Sequence, residues 1–265
     1  MAKMSPMQRY VSNELTHFIG KDRSQEEERY EILIEILTSE RLMHPPRDPN
    51  KSHNLQINLE ARISENEMFN PQMICFCDIP IDDLEIHMRK YSRFGISFLK
   101  DYLIGKGANP VNYVTKNGSV GSEFAGYTNR GKYFDEMVKK CTNLILSIEN
   151  MFTPEDSTPF TAEPSPSYTD SVMDVVIPTG KVLRVSDNPT DVSHFLCFQI
   201  FGYMKCFEAL LPDDEEQNYY MEREWRVLEN INFNLEEVNR VILPKSYSKR
   251  FHDDMPQYRG QITFS

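Results

Sequence analysis

The sequence predicts an α+β protein of one domain, in which short apolar strands are interleaved with amphipathic helices. Three observations carry that reading. Apolar residues recur at helical spacing over Tyr30, Leu33, Ile34 and Leu37, and again over 134–151 through Phe134, Met137, Val138, Cys141, Leu144, Ile145 and Ile148. Short apolar runs, MICFC at 73–77, FGISFL at 94–99 and VNRVIL at 238–243, have the length of buried strands. The 265 residues are 40% hydrophobic and 26% charged, ordinary values for a globular chain. A domain of this size buries roughly three quarters of its unfolded surface, so it needs no disulfide or metal to hold it.

Taken in order, residues 13–18 read as a short extended segment. Ser24 with Glu27 three residues on has the capping-box pattern, so the first helix is expected to start there. Pro45 and Pro46 end that region. Residues 47–72 are polar and read as irregular. Asp78-Ile79-Pro80 turns out of the MICFC strand, and a helix is expected over 82–91, with Leu84, Met88 and Tyr91 on one side. Residues 153–171, with Pro154, Pro159, Pro164 and Pro166 among Ser and Thr, read as a flexible surface insertion rather than a domain boundary. Neither half alone presents a complete set of elements, so residues 1–265 are taken as one domain. Helix is expected again near 194–211. Strands are expected at Trp225–Leu228, at Val238–Leu243 and at Gln261–Phe264.

The formal net charge is −11. An acidic surface repels phosphate backbones at long range, so nucleic acid is expected only as an acceptor in a local basic cleft. The same charge suits a basic protein partner. The five cysteines (Cys75, Cys77, Cys141, Cys197 and Cys206) contain no CxxC pair, so neither a disulfide framework nor a metal site is expected. Cys75 and Cys77 are read as pointing to opposite faces of their strand. Free thiols fit a reducing, cytoplasmic setting. Met1–Gln8 is followed by no apolar core of a signal peptide, and no run of about 18 apolar residues exists, so no membrane association is expected. GxGxxG, P-loop, HExxH and GxSxG motifs are all missing, which removes the enzyme classes they mark as default readings and leaves a metal-free nuclease open.

Three segments stand out as candidate chemistry. They are LTHF at 15–18, ICFCDIP at 74–80 followed by YSRFGI at 91–96, and YYMEREWRV at 219–227. Their order resembles the AbiGi family of abortive phage-infection proteins, whose members carry an ELTHF-like start, a CFxDIP strand, a YxRFGI segment and an EREWRV strand. The resemblance runs from about Glu14 to about Phe264. It implies a role in abortive infection, with a cognate toxin or antitoxin as partner.

A second resemblance is mechanistic. An early strand with His or Thr, a following helix and a late ExE pair resemble ADP-ribosyltransferases of the DarT-like kind. That resemblance implies a central, mainly antiparallel split sheet flanked by helices, with NAD as the substrate. Cleaving the nicotinamide–ribose bond develops oxocarbenium charge, which a carboxylate in a dry site stabilises. Glu224 would take that role. Glu222, two residues away on an extended segment, would deprotonate the acceptor, helped by a pKa raised through the neighbouring carboxylate. His17 would hold the ribose or nicotinamide amide. Thr16, Phe76, Tyr91 and Arg93 would complete the NAD site, with Tyr91 stacking on the nicotinamide. Glu224→Gln is then expected to cost about 10²–10³ in rate and to spare the fold.

Plainer readings exist for each residue. His17 alone reads as a structural histidine, and Tyr91 and Trp225 as core. Asp78 reads as a turn or cap residue. Glu222 and Glu224 also read as a charged strand edge paired with Arg223 and Arg226. Arg93, ahead of a buried strand, needs an anionic partner, which a pyrophosphate or Asp78 could supply. The alternative to the enzyme is a non-enzymatic antitoxin or regulatory subunit, which would present an exposed apolar patch instead of a deep polar cleft.

Overall fold

A computed structural model of the chain describes residues 12–44, 54–118, 127, 130–152, 172–176, 182–186, 195–212, 215 and 218–265. The segment 153–171, read above as an insertion, lies outside the described residues.

In chain order the elements are β1 (Glu14–Phe18), α1 (Glu26–Ser39), β2 (Arg41–Leu42), β3 (Asn54–Asn58), β4 (Phe69–Pro71), β5 (Ile74–Cys77) and α2 (Glu85–Lys90). There follow β6 (Gly95–Leu99), α3 (Lys100–Gly105), β7 (Asn109–Pro110), β8 (Asn112–Thr115), α4 (Arg130–Phe152), β9 (Val172–Val176) and β10 (Val182–Ser186). The chain closes with β11 (Met204–Phe207), β12 (Glu224–Val227), β13 (Ile231–Asn232), β14 (Val238–Leu243), α5 (Ser248–Asp254) and β15 (Gln261–Phe264). Among the described residues the largest sheet has seven strands in the order β15-β14-β6-β1-β5-β12-β7. Its pairs are antiparallel except β14–β15, so the expected α+β class with a mainly antiparallel sheet holds. A four-stranded sheet, β10-β9-β3-β4, stands beside it.

The two faces of the large sheet differ in chemistry, and strand alternation dictates which residue goes where. One face carries Leu15, Ile96, Phe98, Phe76, Ile74, Val227 and Val241, all buried, which pack with Tyr30, Leu33 and Leu37 of α1 and Phe251 of α5 into the main core. The other face carries Thr16, Ser97, Cys75, Cys77, Glu224 and Arg226, because Thr16 pairs with Cys77 and Ser97, Cys77 with Glu224, and Cys75 with Arg226. Against part of this polar face lie Leu84 and Met88, packed on Cys77 and Ile242. A second core is made of Ile57, Ile63, Phe69, Val138, Phe198 and Phe201.

Several sequence readings change. Alpha-helix 1 starts at Glu26, with Gln25 at its cap and no side-chain cap bond, so Ser24 does not cap it. Residues 47–72 are not irregular throughout: β3, a 3₁₀ turn over Ile63–Glu65 and β4 lie within them. The helix expected near 194–211 is one π-turn (Phe195–Ile200), one 3₁₀ turn (Phe201–Tyr203) and then β11. Cys75 and Cys77 share a face, since residues two apart on a strand point the same way; the reading that separated them fails on alternation itself.

Candidate functional site

Glu222 and Glu224 come together, but not by strand alternation. Glu222 ends a 3₁₀ turn over Tyr219–Glu222, and Glu224 opens β12. Between them Arg223 sits in the left-handed region at φ 45°. That single reversal, uncommon for a residue with a Cβ, turns the Glu222 carboxylate back toward that of Glu224.

Both carboxylates are buried, 5% and 6% exposed, and both are met by cations from distant parts of the chain. Lys90 Nζ donates to Glu222 Oε1 at 2.8 Å, and the Tyr91 hydroxyl donates to the same oxygen. Lys205, from β11, bridges Glu222 Oε2 and Glu224 Oε2. Arg226 Nε donates to Glu224 Oε1 at 2.7 Å, and its Nη1 donates to the Gly202 carbonyl. The Glu224 amide donates to the Tyr113 hydroxyl at 2.6 Å. Lys90 and Lys205 also lie over the Tyr219 ring, each 4.8 Å from its centroid.

The electrostatics follow. Burial alone would raise the Glu224 carboxyl, but the Arg226 and Lys205 charges overcome it and hold the group at about 2. Burial likewise pushes Glu222 up, and Lys205, Lys90 and Tyr91 bring it below the usual carboxylate range. Neither glutamate has the raised pKa expected of a general base. Burial, with the adjacent Glu222, raises the Tyr91 hydroxyl. Burial also raises the Cys75 thiol, and the Glu224 charge beside it adds to the effect.

The remaining candidates separate by face. His17 lies on the core face: its ring packs on Phe76 at 5.7 Å, its Nδ1 donates to the Cys75 carbonyl at 2.8 Å, and it lines a small cleft with Ile32, Glu35 and Ile36 of α1. Glu224 points from the opposite face, so the sheet separates His17 and Phe76 from the glutamates. Thr16 is on the glutamate face but 3% exposed, with Cys77 between it and Glu224 in the register. Tyr91 is in the network, stacked on Phe18 at 6.1 Å. Arg93 is remote: it pairs with Glu26 at 3.4 Å and donates to the Ser265 carbonyl, which supply the acceptors that a pyrophosphate or Asp78 was expected to supply. Asp78 instead holds Lys100 at 2.8 Å, Arg223 at 3.6 Å and the Ser12 amide. Of the plainer ion-pair reading, Arg226 is borne out on Glu224, while Arg223 turns to Asp78.

Sequence reasoning missed Lys90, Lys205 and Tyr113. The one available signal was Lys205 itself, a lysine inside the short run Met204-Lys205-Cys206-Phe207, where a charge needs a buried partner. Beside the network lies a cavity of about 210 Å³ with a mixed lining, polar at Asn66, Asn70 and Arg226 and apolar at Phe69, Phe201 and Met204, with Cys75 also at its surface. Among the described residues no group of three His, Cys, Asp or Glu side chains is placed to hold a metal ion, and no helix is long and apolar enough to cross a membrane.

No curated protein and no solved structure matches the chain significantly. A family model does match, over residues 50–259, and its description reads "Putative abortive phage resistance protein AbiGi, antitoxin". With most of its length under that model, from the β3 region to the turn before β15, the chain belongs to the AbiGi family.

Proposed function

We propose that the chain is the neutralising component of an abortive-infection pair, an antitoxin that acts by binding a cognate toxin and not by catalysis. The observation that carries this reading is the state of the two glutamates. Each of their four carboxylate oxygens already has a cationic or hydroxyl partner, and the groups are held as carboxylates well below the range of a general base. Such an arrangement fastens β12, β11 and α2 together, and the cations that engage each oxygen disfavour its taking a proton from an acceptor. The description of the family model supports the same reading, and the net charge of −11 suits a basic partner.

The test is growth and capture. Expression of the chain alone should leave growth intact, and co-expression with the product of the adjacent gene should restore growth that this product arrests, with the two proteins co-purifying. Incubation with labelled NAD and cell extract should leave nothing labelled. A chain that arrests growth alone, or an acceptor that is labelled only when the chain is added, would overturn the proposal.

A further inference from the structure

We propose that β15 pairs with β15 of a second copy of this chain, antiparallel about a two-fold axis, and so joins two large sheets into one. The described sheet has two edges, and they differ. The β7 edge (Asn109–Pro110) is two residues long and carries a proline, a residue that guards an edge against pairing. The β15 edge (Gln261–Phe264) holds no proline and no charge. It runs beside β14 without a bulge, from the Arg240–Gln261 pair to the Leu243–Phe264 pair. Among the described residues β14 is its single strand neighbour. Val241 pairs with Ile262 and Leu243 with Phe264, so both side chains continue the sheet face that carries the main core. There they stand open to solvent, Ile262 40% and Phe264 48% exposed.

The backbone decides which partner fits. The Ser265 amide donates to the Leu243 carbonyl, so Gln261, Thr263 and Ser265 turn their N–H and C=O groups toward β14. By alternation, those of Ile262 and Phe264 point outward. In an antiparallel pair such a residue exchanges both bonds with the residue directly opposite. A two-fold axis at Thr263 sets Ile262 of each copy opposite Phe264 of the other, which uses all the outward groups of both residues. Thr263, whose hydroxyl Arg240 already holds at 2.8 Å, then faces its counterpart. Aromatic against β-branched and threonine against threonine are favourable cross-strand pairs, and one patch serves both copies, as an isologous contact requires. The net charge of −11 opposes association at long range. Gln261–Ser265 carries no charge, so the contact sets no like charges opposite each other, and salt screens the long-range cost.

The experiment needs no other protein, so its outcome is separate from that of the antitoxin proposal. The chain is studied in high salt by sedimentation equilibrium, and its amide exchange is read residue by residue by NMR. As concentration rises from micromolar to millimolar, the mass should pass from that of one chain toward that of two. The Ile262 and Phe264 amides should exchange about tenfold more slowly or less in the dimer than in the monomer. Those of Thr263 and Ser265, turned to β14, should be protected at both ends of the series. Phe264→Lys places a lysine opposite Ile262 and makes the chain less acidic, so loss of the dimer in this variant cannot come from general repulsion. It should stay monomeric, with the thermal midpoint of the dilute wild type. Adding Ile262→Glu sets a carboxylate opposite each new lysine and should restore the dimer in part. A wild type that is monomeric throughout, a Phe264→Lys variant that dimerises as the wild type does, a dimer whose Ile262 and Phe264 amides exchange as in the monomer, or a double variant no better than Phe264→Lys would each overturn the proposal.

Discussion

Lys205 is the residue on which the network turns. Among the described residues it is the one side chain that bonds both glutamates, and it is 14% exposed. Replacing it with methionine keeps the apolar stem but leaves two buried carboxylates facing each other. Breaking a buried pair from one side costs about 3–5 kcal/mol, and Lys205→Met is expected to lose that much in urea denaturation at neutral pH. The pH dependence separates this from a simple packing loss. In the wild type Glu224 is depressed from 4.5 to about 2. Its contribution is therefore present above pH 4.5 and lost as pH falls toward 2, and at 1.36 kcal/mol per unit it amounts to about 3 kcal/mol. In Lys205→Met the facing carboxylates favour protonation, so acid relieves the variant while it weakens the wild type. The gap between the two should shrink between pH 7 and pH 4, and a gap that stays constant or widens would show that Lys205 does not neutralise the glutamates. The same burial corrects the expectation for Glu224→Gln. At 6% exposure Glu224 is no cleft-rim residue, so the amide should lower stability by a few kcal/mol by leaving Arg226 and Lys205 undercompensated.

At the scale of elements, what was legible depended on whether a segment's own pattern decided its place. Beta-strands 5, 6, 14 and 15 announce themselves as apolar runs, and α1 and α4 by their spacing. Strand β3 carries the alternation of a strand in Asn54-Leu55-Gln56-Ile57-Asn58, but with only two apolar residues in a polar stretch the pattern is too short to stand out, and pairing with β4 and β9 fixes it as a strand. The run Phe195–Phe201 has helical spacing, yet the Gly202 and Tyr203 that follow lead into β11, and tertiary packing of Phe198 and Phe201 overrides propensity. The site was half legible for the same reason. Glu222 and Glu224 lie together in sequence, whereas Lys90 and Lys205 reach them from 132 and 17 residues away. The YSRFGI segment shows a local rule with a long-range cause. A Cβ on Gly95 would stand 2.9 Å from the His17 carbonyl on the neighbouring strand, closer than backbone can tolerate. Gly95→Val should therefore force β1 and β6 apart and cost about 1–3 kcal/mol or more, measured as a lowered denaturation midpoint. A midpoint equal to that of the wild type would mean that the two strands can separate there at no cost.

At the scale of the whole molecule, the arrangement of charge is more telling than its sum. The formal net charge is −11, yet a dense group of cations (Lys90, Lys100, Lys205 and Arg226) is turned inward onto Glu222, Glu224 and Asp78, each of these four side chains no more than 16% exposed. Inside, the four cations and three carboxylates nearly cancel, so the exterior keeps essentially the whole formal charge of −11. An acidic exterior steers a basic partner, and steering between exposed charges is screened over about 8–10 Å at physiological salt and more strongly above it. The buried network is screened much less. Salt should thus act on the two properties differently. If the proposed toxin partner exists and is basic, its association rate with the chain should fall about tenfold or more between about 50 mM and about 500 mM salt, read by surface plasmon resonance, while the thermal midpoint of the chain alone moves little. An association rate indifferent to salt would remove electrostatic steering from the account of binding, and a midpoint that collapses in salt would place the stabilising ion pairs on the surface instead of beneath the sheet.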